Sequence, residues 1–221
     1  MQRKRFKVSE YISPQEAEAL IRACPKPRDK FILRVMWETG GRVSEVLALR
    51  PEYLDPVNNC IILPNLKQKR KAGQPPPLKR IFLFSDSTLI KGLGEFITEH
   101  GIDRGDWVFQ GRVQKGDKRG QVSPVYIWYL LSNVRHPHDK WKRKDGLATE
   151  LSIRKIKQDK LKPAWPHLFR HGAAMNIYHR TQRLDVTQKQ LGHSSIQTTE
   201  GYADLPNGDR KKIIDETPKT T

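Results

Sequence analysis

The stretch that decides the fold is "LGHSSIQTTEGY", which runs from Leu191 to Tyr202 near the end of a chain of 221 residues. A Gly-His pair is followed by small hydroxyl residues and then, nine residues after His193, by Tyr202. A tyrosine in this setting is either an ordinary half-buried side chain or a nucleophile. A phenol becomes nucleophilic when a neighbouring base takes its proton. The rest of the sequence decides between the two interpretations.

The charge of the chain points to a polyanionic partner. Lys and Arg number 41 against 24 Asp and Glu, a formal net charge of +17, and the pI is about 10.0. Double-stranded DNA is the predicted partner, because basic domains of this kind most often bind nucleic acid. A membrane is not predicted, since no amphipathic basic helix occurs and the apolar runs are short. The opening residues lack the apolar core of a signal peptide, and we expect a cytoplasmic, nucleoid-associated protein.

The pattern of apolar residues predicts a mainly α-helical chain with a small antiparallel β-sheet, the α+β class. Ser13, Pro14 and Glu16 form a helix start, and Gly40 with Gly41 ends a second helix. No linker or internal repeat divides the chain, so we expect a basic segment at 1–12 and one domain at 13–221. The predicted helices lie near 14–24, 28–39, 43–50, 87–100, 123–134, 167–179, 185–191, 195–202 and 209–216, and the predicted strands at 60–64 and 80–84.

Residues 135–163 leave two interpretations open. The segment is polar and basic throughout, as is typical of a loop. A helix around 150–161, "ELSIRKIKQDKL", is the alternative. The two cysteines, Cys24 and Cys60, make neither a disulfide framework nor a metal site.

Four segments taken together resemble one known family. They are "TGGRVSEVLALR" at 39–50, "NLKQKRK" at 65–71, "HLFRHG" at 167–172 and "LGHSSIQTTEGY" at 191–202. In this order and spacing they are similar to the catalytic domain of the tyrosine recombinase (phage integrase) family, from about Ser13 to about Glu216. The resemblance implies that family's catalytic-domain fold. It also implies a catalytic set of Arg42, Lys67, His167, Arg170, His193 and Tyr202, supported by Glu45 and His171.

These residue types suit phosphodiester cleavage without metal, cofactor or ATP. Tyr202 supplies the nucleophile, and the guanidiniums of Arg42 and Arg170 can hold the oxygens on which negative charge gathers. A lysine can protonate the leaving 5′-oxygen, because its pKa is readily lowered. His167 and His193 can bind the phosphate or accept the phenol proton. The family resemblance implies a 3′-phosphotyrosyl intermediate, which a 5′-hydroxyl later attacks.

The motifs leave open which lysine is the catalytic one. The hairpin segment offers four of them: Lys67, Lys69, Lys71 and Lys79. Lys67 is preferred because it lies closest to the end of the first strand, where the family places the catalytic lysine, and Lys69 is second. The remaining charge of the hairpin is predicted to contact the DNA backbone, through Lys69, Arg70, Lys71 and Arg80.

The family resemblance also implies partners and sets the alternatives. Most relatives carry an N-terminal core-binding domain, which we expect to be absent here, and they recombine DNA as tetramers on paired sites, with possible accessory DNA-bending proteins. The favoured prediction is a site-specific DNA recombinase. One alternative is a strand transferase related to type IB topoisomerases or telomere resolvases. The other is a DNA-binding protein without activity, in which Tyr202 would have no role.

Overall fold

The described part of the fold combines packed helices with a three-stranded antiparallel sheet and two short two-stranded ones. The computed structural model describes residues 12–67, 73–83, 88–113, 119–132, 153–155, 161–163 and 166–192. Its helices are α1 Pro14–Ala23, α2 Pro27–Thr39, α3 Val43–Leu47, α4 Thr88–Glu99, α5 Pro124–Ser132, α6 Pro166–Thr181 and α7 Leu184–Leu191, with a 3₁₀ turn at Pro51–Tyr53. Its strands are β1 Leu54–Asp55, β2 Cys60–Pro64, β3 Leu78–Phe82, β4 Gln110–Val113, β5 Arg119–Gln121, β6 Ile153–Lys155 and β7 Leu161–Pro163.

The first two helices begin and end where local chemistry requires. The Ser13 backbone N–H donates to the Glu16 carboxylate at 2.8 Å, and the Glu16 N–H donates to the Ser13 hydroxyl at 3.3 Å. This reciprocal capping box satisfies two donors that the first turn of a helix leaves unpaired. Helix α2 ends at Gly40, which adopts the left-handed conformation with φ of 58°. Both boundaries agree with the sequence prediction.

Pairing in the three-stranded sheet determines which way the side chains of strand β3 point. Strands β1, β2 and β3 pair in that order, all antiparallel, with Ile61 opposite Ile81 and Leu63 opposite Lys79. Because alternate residues of a strand point to opposite faces, buried Ile81 and Lys79 share the inner face. Leu78, Arg80 and Phe82 are exposed on the other face. Strand β3 begins two residues earlier than predicted.

Both interpretations of residues 135–163, a loop throughout and a loop with a helix at 150–161, are wrong for the two segments that the structure describes there. Residues Ile153–Lys155 and Leu161–Pro163 pair instead as the antiparallel strands β6 and β7. Ile153 is β-branched and therefore favours a strand over a helix. A further hairpin, formed by β4 and β5, was not predicted.

Helix α2 lies at the centre of the core and packs against α6. Its side chains Ile32, Leu33, Val35 and Met36 are fully buried. On α6, Gly172, Ala173 and Ala174 are buried as well. Such small residues let neighbouring segments approach closely. The predicted class, helices with a small antiparallel sheet, is confirmed. No helix within the described ranges is long and apolar enough to cross a bilayer.

Gly172→Ala is expected to lower the free energy of unfolding by about 1–3 kcal/mol, the usual range for overpacking a core. A Cβ at this position would lie 2.4 Å from the carbonyl oxygen of Ile12 and 2.7 Å from the Trp37 ring. Urea unfolding measures the loss. Gly94→Ala is the matched control, because its Cβ would meet nothing within 4 Å, and it should stabilise helix α4 by about 0.5–1 kcal/mol. Equal effects of the two changes would contradict the packing argument.

Candidate active site

The turn between α2 and α3 presents Arg42 at the edge of the core. The Thr39 hydroxyl donates to the Val35 carbonyl at 2.6 Å and accepts from the Gly41 N–H at 3.0 Å. A Cβ on Gly40 would lie 2.5 Å from a methyl carbon of Leu191, so the end of α2 lies directly against the end of α7. The sequence "TGGR" therefore places Arg42 beside the segment that leads to His193.

Glu45 is the buried anion around which the site is assembled. Its side chain is 0% exposed. One carboxylate oxygen accepts from the Arg42 guanidinium at 2.8 Å. The other accepts from the Lys79 ammonium at 2.7 Å and from the Arg42 backbone N–H at 3.0 Å. The carboxylate thus joins helix α3 to strand β3 and holds two cations at fixed positions.

The pKa values of this pair follow from burial and charge. Burial by itself would raise the pKa of Glu45, but the ion pair with Lys79 and the hydrogen bonds from Arg42 outweigh it and lower the pKa. For Lys79, burial lowers the pKa, Glu45 opposes that shift, and the nearby Arg170 and Arg42 add to it. Glu45 is therefore ionised at neutral pH, and Lys79 lies in a cluster of cations.

Arg170 on helix α6 joins the ends of two other helices. One terminal nitrogen of its guanidinium donates to the Gly40 carbonyl at 2.6 Å, and the other donates to the Leu191 carbonyl at 2.8 Å. Its side chain is buried. Both acceptors are carbonyls at helix C-termini, which the helices themselves leave unpaired. Arg170 therefore fixes α2 and α7 relative to α6.

His167 and Lys67 lie within electrostatic reach of the two arginines. His167 is exposed on one side, yet partial burial lowers its pKa, and the charges of Arg170, Arg42 and Lys67 lower it further. The imidazole is therefore neutral at physiological pH and can accept a proton or a hydrogen bond. The ring of His171 contacts that of His167 edge-on, with the centroids 5.9 Å apart. The structure thus brings four predicted catalytic residues together: Arg42, Lys67, His167 and Arg170.

The remaining predicted residues are not part of this cluster or lie outside the described residues. Arg80 points away from the site, with a 60% exposed side chain that pairs with Asp55 at 3.5 Å. The predicted site residues that lie outside the described ranges are Lys69, Arg70, Lys71, His193 and Tyr202. The catalytic and DNA-binding roles of all these residues stay predictions.

Lys79 is the site residue to which the sequence motifs assign no role. Its side chain is 10% exposed and faces Glu45, whereas Lys67 is exposed. Strand alternation carried the signal, because Lys79 lies two residues before the apolar Ile81 and shares its inward face.

The cluster is strongly positive. Arg42 and Lys79 bind the carboxylate of Glu45, and Arg170 lies near Lys79. Lys67 and His167 are exposed beside them. Cations held in a partly buried site can stabilise an anion better than solvated ones can. Within the described part of the chain, no group of three or more His, Cys, Asp or Glu side chains is arranged to hold a metal ion.

Comparison with known proteins identifies the family. The phage integrase family model matches residues 10–207, and the chain belongs to that family. It is 28% identical over 210 residues to a resolvase of Escherichia coli, covering 87% of this chain and 72% of the relative. It is 23% identical to the tyrosine recombinase XerA of Thermococcus onnurineus, covering 86% of this chain and 56% of the relative.

A solved structure agrees with the fold. It is the XerH site-specific recombinase bound to a palindromic difH substrate in a post-cleavage complex, with a TM-score of 0.65 and 17% identity, covering 95% of this chain and 54% of XerH. The chain therefore spans little more than half of some relatives. The family model and the relatives confirm the predicted family and enzyme class, a tyrosine-type site-specific DNA recombinase. The XerH structure agrees with the predicted fold. The alternative related to type IB topoisomerases and telomere resolvases is not favoured.

Proposed function

We propose that this chain cleaves and rejoins double-stranded DNA at a specific site through a covalent link between Tyr202 and a 3′-phosphate. The observation that supports the proposal best is that Arg42 and Arg170 lie near the same two side chains, Lys79 and His167, and lower the pKa of both. The two arginines lie more than a hundred residues apart in the sequence. Glu45 holds the guanidinium of Arg42, and the buried Gly40 and Leu191 carbonyls hold that of Arg170. A scissile phosphate at this cluster would meet two cations on one side.

Each residue of the site has a role in the proposed cleavage. The Tyr202 phenol loses its proton and its oxygen attacks phosphorus, and the bond to the 5′-oxygen breaks. Arg42 and Arg170 stabilise the charge on the non-bridging oxygens. His167 and His193 bind the phosphate or accept the phenol proton, and Lys67 gives a proton to the leaving 5′-oxygen. Attack by a 5′-hydroxyl on the phosphotyrosyl link reverses these steps and restores a phosphodiester, so no ATP is consumed.

DNA is the partner that charge and relationship both favour. A net charge of +17 suits phosphate contacts, which give affinity without sequence readout. XerH was solved on its DNA substrate, and we extend DNA binding to this chain. We also propose assembly as a tetramer on paired DNA sites. Lys69, Arg70, Lys71 and Arg80 are proposed as contacts to the DNA backbone.

A covalent trapping assay tests the proposal. The protein is incubated with DNA from its own genetic neighbourhood, nicked near the cleavage site so that the short 5′-hydroxyl strand diffuses away and religation fails. After denaturation and digestion of the DNA, mass spectrometry is expected to find a nucleotide adduct on Tyr202. The adduct mass identifies the reaction, and the trapped fragment gives the site.

The matched control is Tyr202→Phe, which removes only the phenol oxygen. This variant should bind the same DNA with unchanged affinity and form no adduct, because it lacks the nucleophile. Cleavage by the variant would show that another residue attacks. Tight, specific binding by the wild type without any adduct would favour the DNA-binding protein without activity.

A further inference from the structure

Lys79 lies near both Arg42 and Arg170. The roles proposed for these two arginines do not explain why a lysine is buried beside them. Its ammonium donates to Glu45 at 2.7 Å and to the backbone carbonyl of Leu191 at 3.5 Å. The first contact reaches helix α3 and the second reaches the last residue of α7. One side chain on the edge strand β3 thus contacts the helix that follows Arg42 and the last residue of the helix that precedes His193 in the sequence.

We propose that Lys79 is a positioning residue of the cleavage reaction, which locks the end of α7 to the Arg42–Glu45 pair. The inference rests on the proposed function and adds to it a residue other than the predicted lysine, Lys67. Lys79 acts through Glu45 and Leu191 and does not touch the substrate.

The contact with Glu45 controls how tightly Arg42 is held. Arg42 uses its guanidinium on one carboxylate oxygen, while Lys79 and the Arg42 backbone N–H take the other. Lys79 thereby neutralises a carboxylate that would otherwise attract Arg42 alone. Without the ammonium, Glu45 would hold Arg42 more strongly, and less of the positive field of Arg42 would be available to a phosphate.

The contact with Leu191 fixes the position of the end of α7. The Leu191 carbonyl accepts from both Lys79 and Arg170, and a cation at the C-terminus of a helix is favoured by the helix dipole. Gly192 follows in the left-handed conformation, and a Cβ there would lie 3.1 Å from the Lys79 side chain. His193 is the next residue in the sequence. Lys79 and Arg170 therefore fix the point from which the chain continues to His193 and Tyr202.

The rival role for Lys79 is that of the general acid, since burial lowers its pKa. Two substrates separate the roles. One carries the ordinary 5′-oxygen at the scissile bond, and the other carries sulfur in its place. A thiolate leaves without a proton, so the sulfur substrate removes the need for a general acid but not for correct positioning. The proteins compared are the wild type, Lys79→Met, Lys79→Arg and the control Lys91→Met, which changes an exposed lysine on α4.

The expected result is a loss of cleavage that sulfur does not repair. Lys79→Met should lower the single-turnover rate constant by about a hundredfold on both substrates, as misplaced catalytic groups do, with DNA affinity within about threefold of the wild type. Lys79→Arg keeps the charge and should recover most of the rate. Lys91→Met should match the wild type. Recovery of Lys79→Met on the sulfur substrate would overturn the proposal in favour of a general acid.

A second measurement does not depend on cleavage. In the free protein, amide hydrogen exchange at the end of α7 should be faster in Lys79→Met than in Lys79→Arg, while exchange in α2 stays unchanged. Unaltered exchange at α7 in a folded methionine variant would overturn the proposal. If Lys79→Met unfolds globally, Lys79→Gln replaces it in both measurements, and cleavage and exchange at wild-type rates in a folded Lys79→Gln would overturn the proposal. If the wild type cleaves neither substrate, the proposed function fails, and the exchange result then shows only whether Lys79 holds the end of α7.

Discussion

Replacing Arg170 with alanine is expected to lower the rate constant of DNA cleavage by about a thousandfold or more, the range seen when a transition-state arginine or oxyanion donor is removed. The guanidinium is proposed to stabilise the charge on phosphorus oxygens, and it also holds the Gly40 and Leu191 carbonyls. Single-turnover cleavage of a nicked substrate measures the chemical loss. DNA affinity, measured separately, should change far less than the rate constant.

Arg170→Lys separates charge from geometry. A lysine keeps the positive charge but cannot donate from two fixed nitrogens to two carbonyls, so most of the activity should still be lost. Stability should also fall by about 1–3 kcal/mol in the alanine variant. The buried Gly40 carbonyl loses the Arg170 donor, and the Leu191 carbonyl keeps only the longer bond from Lys79. Arg22→Ala is the matched control, since that side chain is 80% exposed in a surface pair with Glu18. An alanine variant of Arg170 that cleaves at a wild-type rate would refute its proposed role.

The parts of the fold that depend on local chemistry were predictable. The capping box at Ser13 and Glu16 marks the start of α1, and Gly40 marks the end of α2, because both signals need only neighbouring residues. The short strands β4 to β7 gave weaker signals. Each has three or four residues, too few for a period to be distinguished, and their pairing depends on partners elsewhere in the chain. Residues 150–161 therefore fitted a helix as well as the hairpin that forms.

The candidate site was predictable where side chains carry the chemistry and not where the backbone does. The motifs containing Arg42 and Arg170 identify both arginines from the order of residues alone. The acceptors that hold Arg170 are the carbonyls of Gly40 and Leu191, and every residue has a carbonyl, so no sequence pattern marks them. Lys79 was hidden among neighbouring charges, although its alternation with Ile81 indicated an inward side chain.

Glu45→Gln is expected to lower the free energy of unfolding by about 3–5 kcal/mol, the usual cost of removing one partner from a buried ion pair. The carboxylate is fully buried and accepts three hydrogen bonds from Arg42 and Lys79. Glutamine has the same shape, but its NH₂ group would face a cation, and no negative charge would remain between Arg42 and Lys79. Urea unfolding at neutral pH measures the loss.

The difference in the free energy of unfolding between wild type and Glu45→Gln is expected to depend on pH. Because the folded protein holds the pKa of Glu45 below its ordinary value of 4.5, the carboxylate contributes full stability above that value. This contribution disappears as the pH falls through the lowered pKa. The gap in stability between wild type and Glu45→Gln should therefore be constant near neutral pH and shrink under acid conditions.

The free energy of unfolding at alkaline pH tests the role of Lys79, the partner of Glu45. Burial already lowers the pKa of Lys79, and Glu45 is the group that opposes this shift. In Glu45→Gln the pKa of Lys79 should fall further, because the folded state then binds the proton of Lys79 more weakly. The variant should accordingly regain part of its lost stability as the pH rises toward 10.5, the ordinary pKa of lysine, where the unfolded chain also loses that proton. Glu18→Gln, in a surface pair, serves as the control and should show neither effect. A gap that stays constant from acid to alkaline pH would mean that Glu45 is not the charged centre of the site.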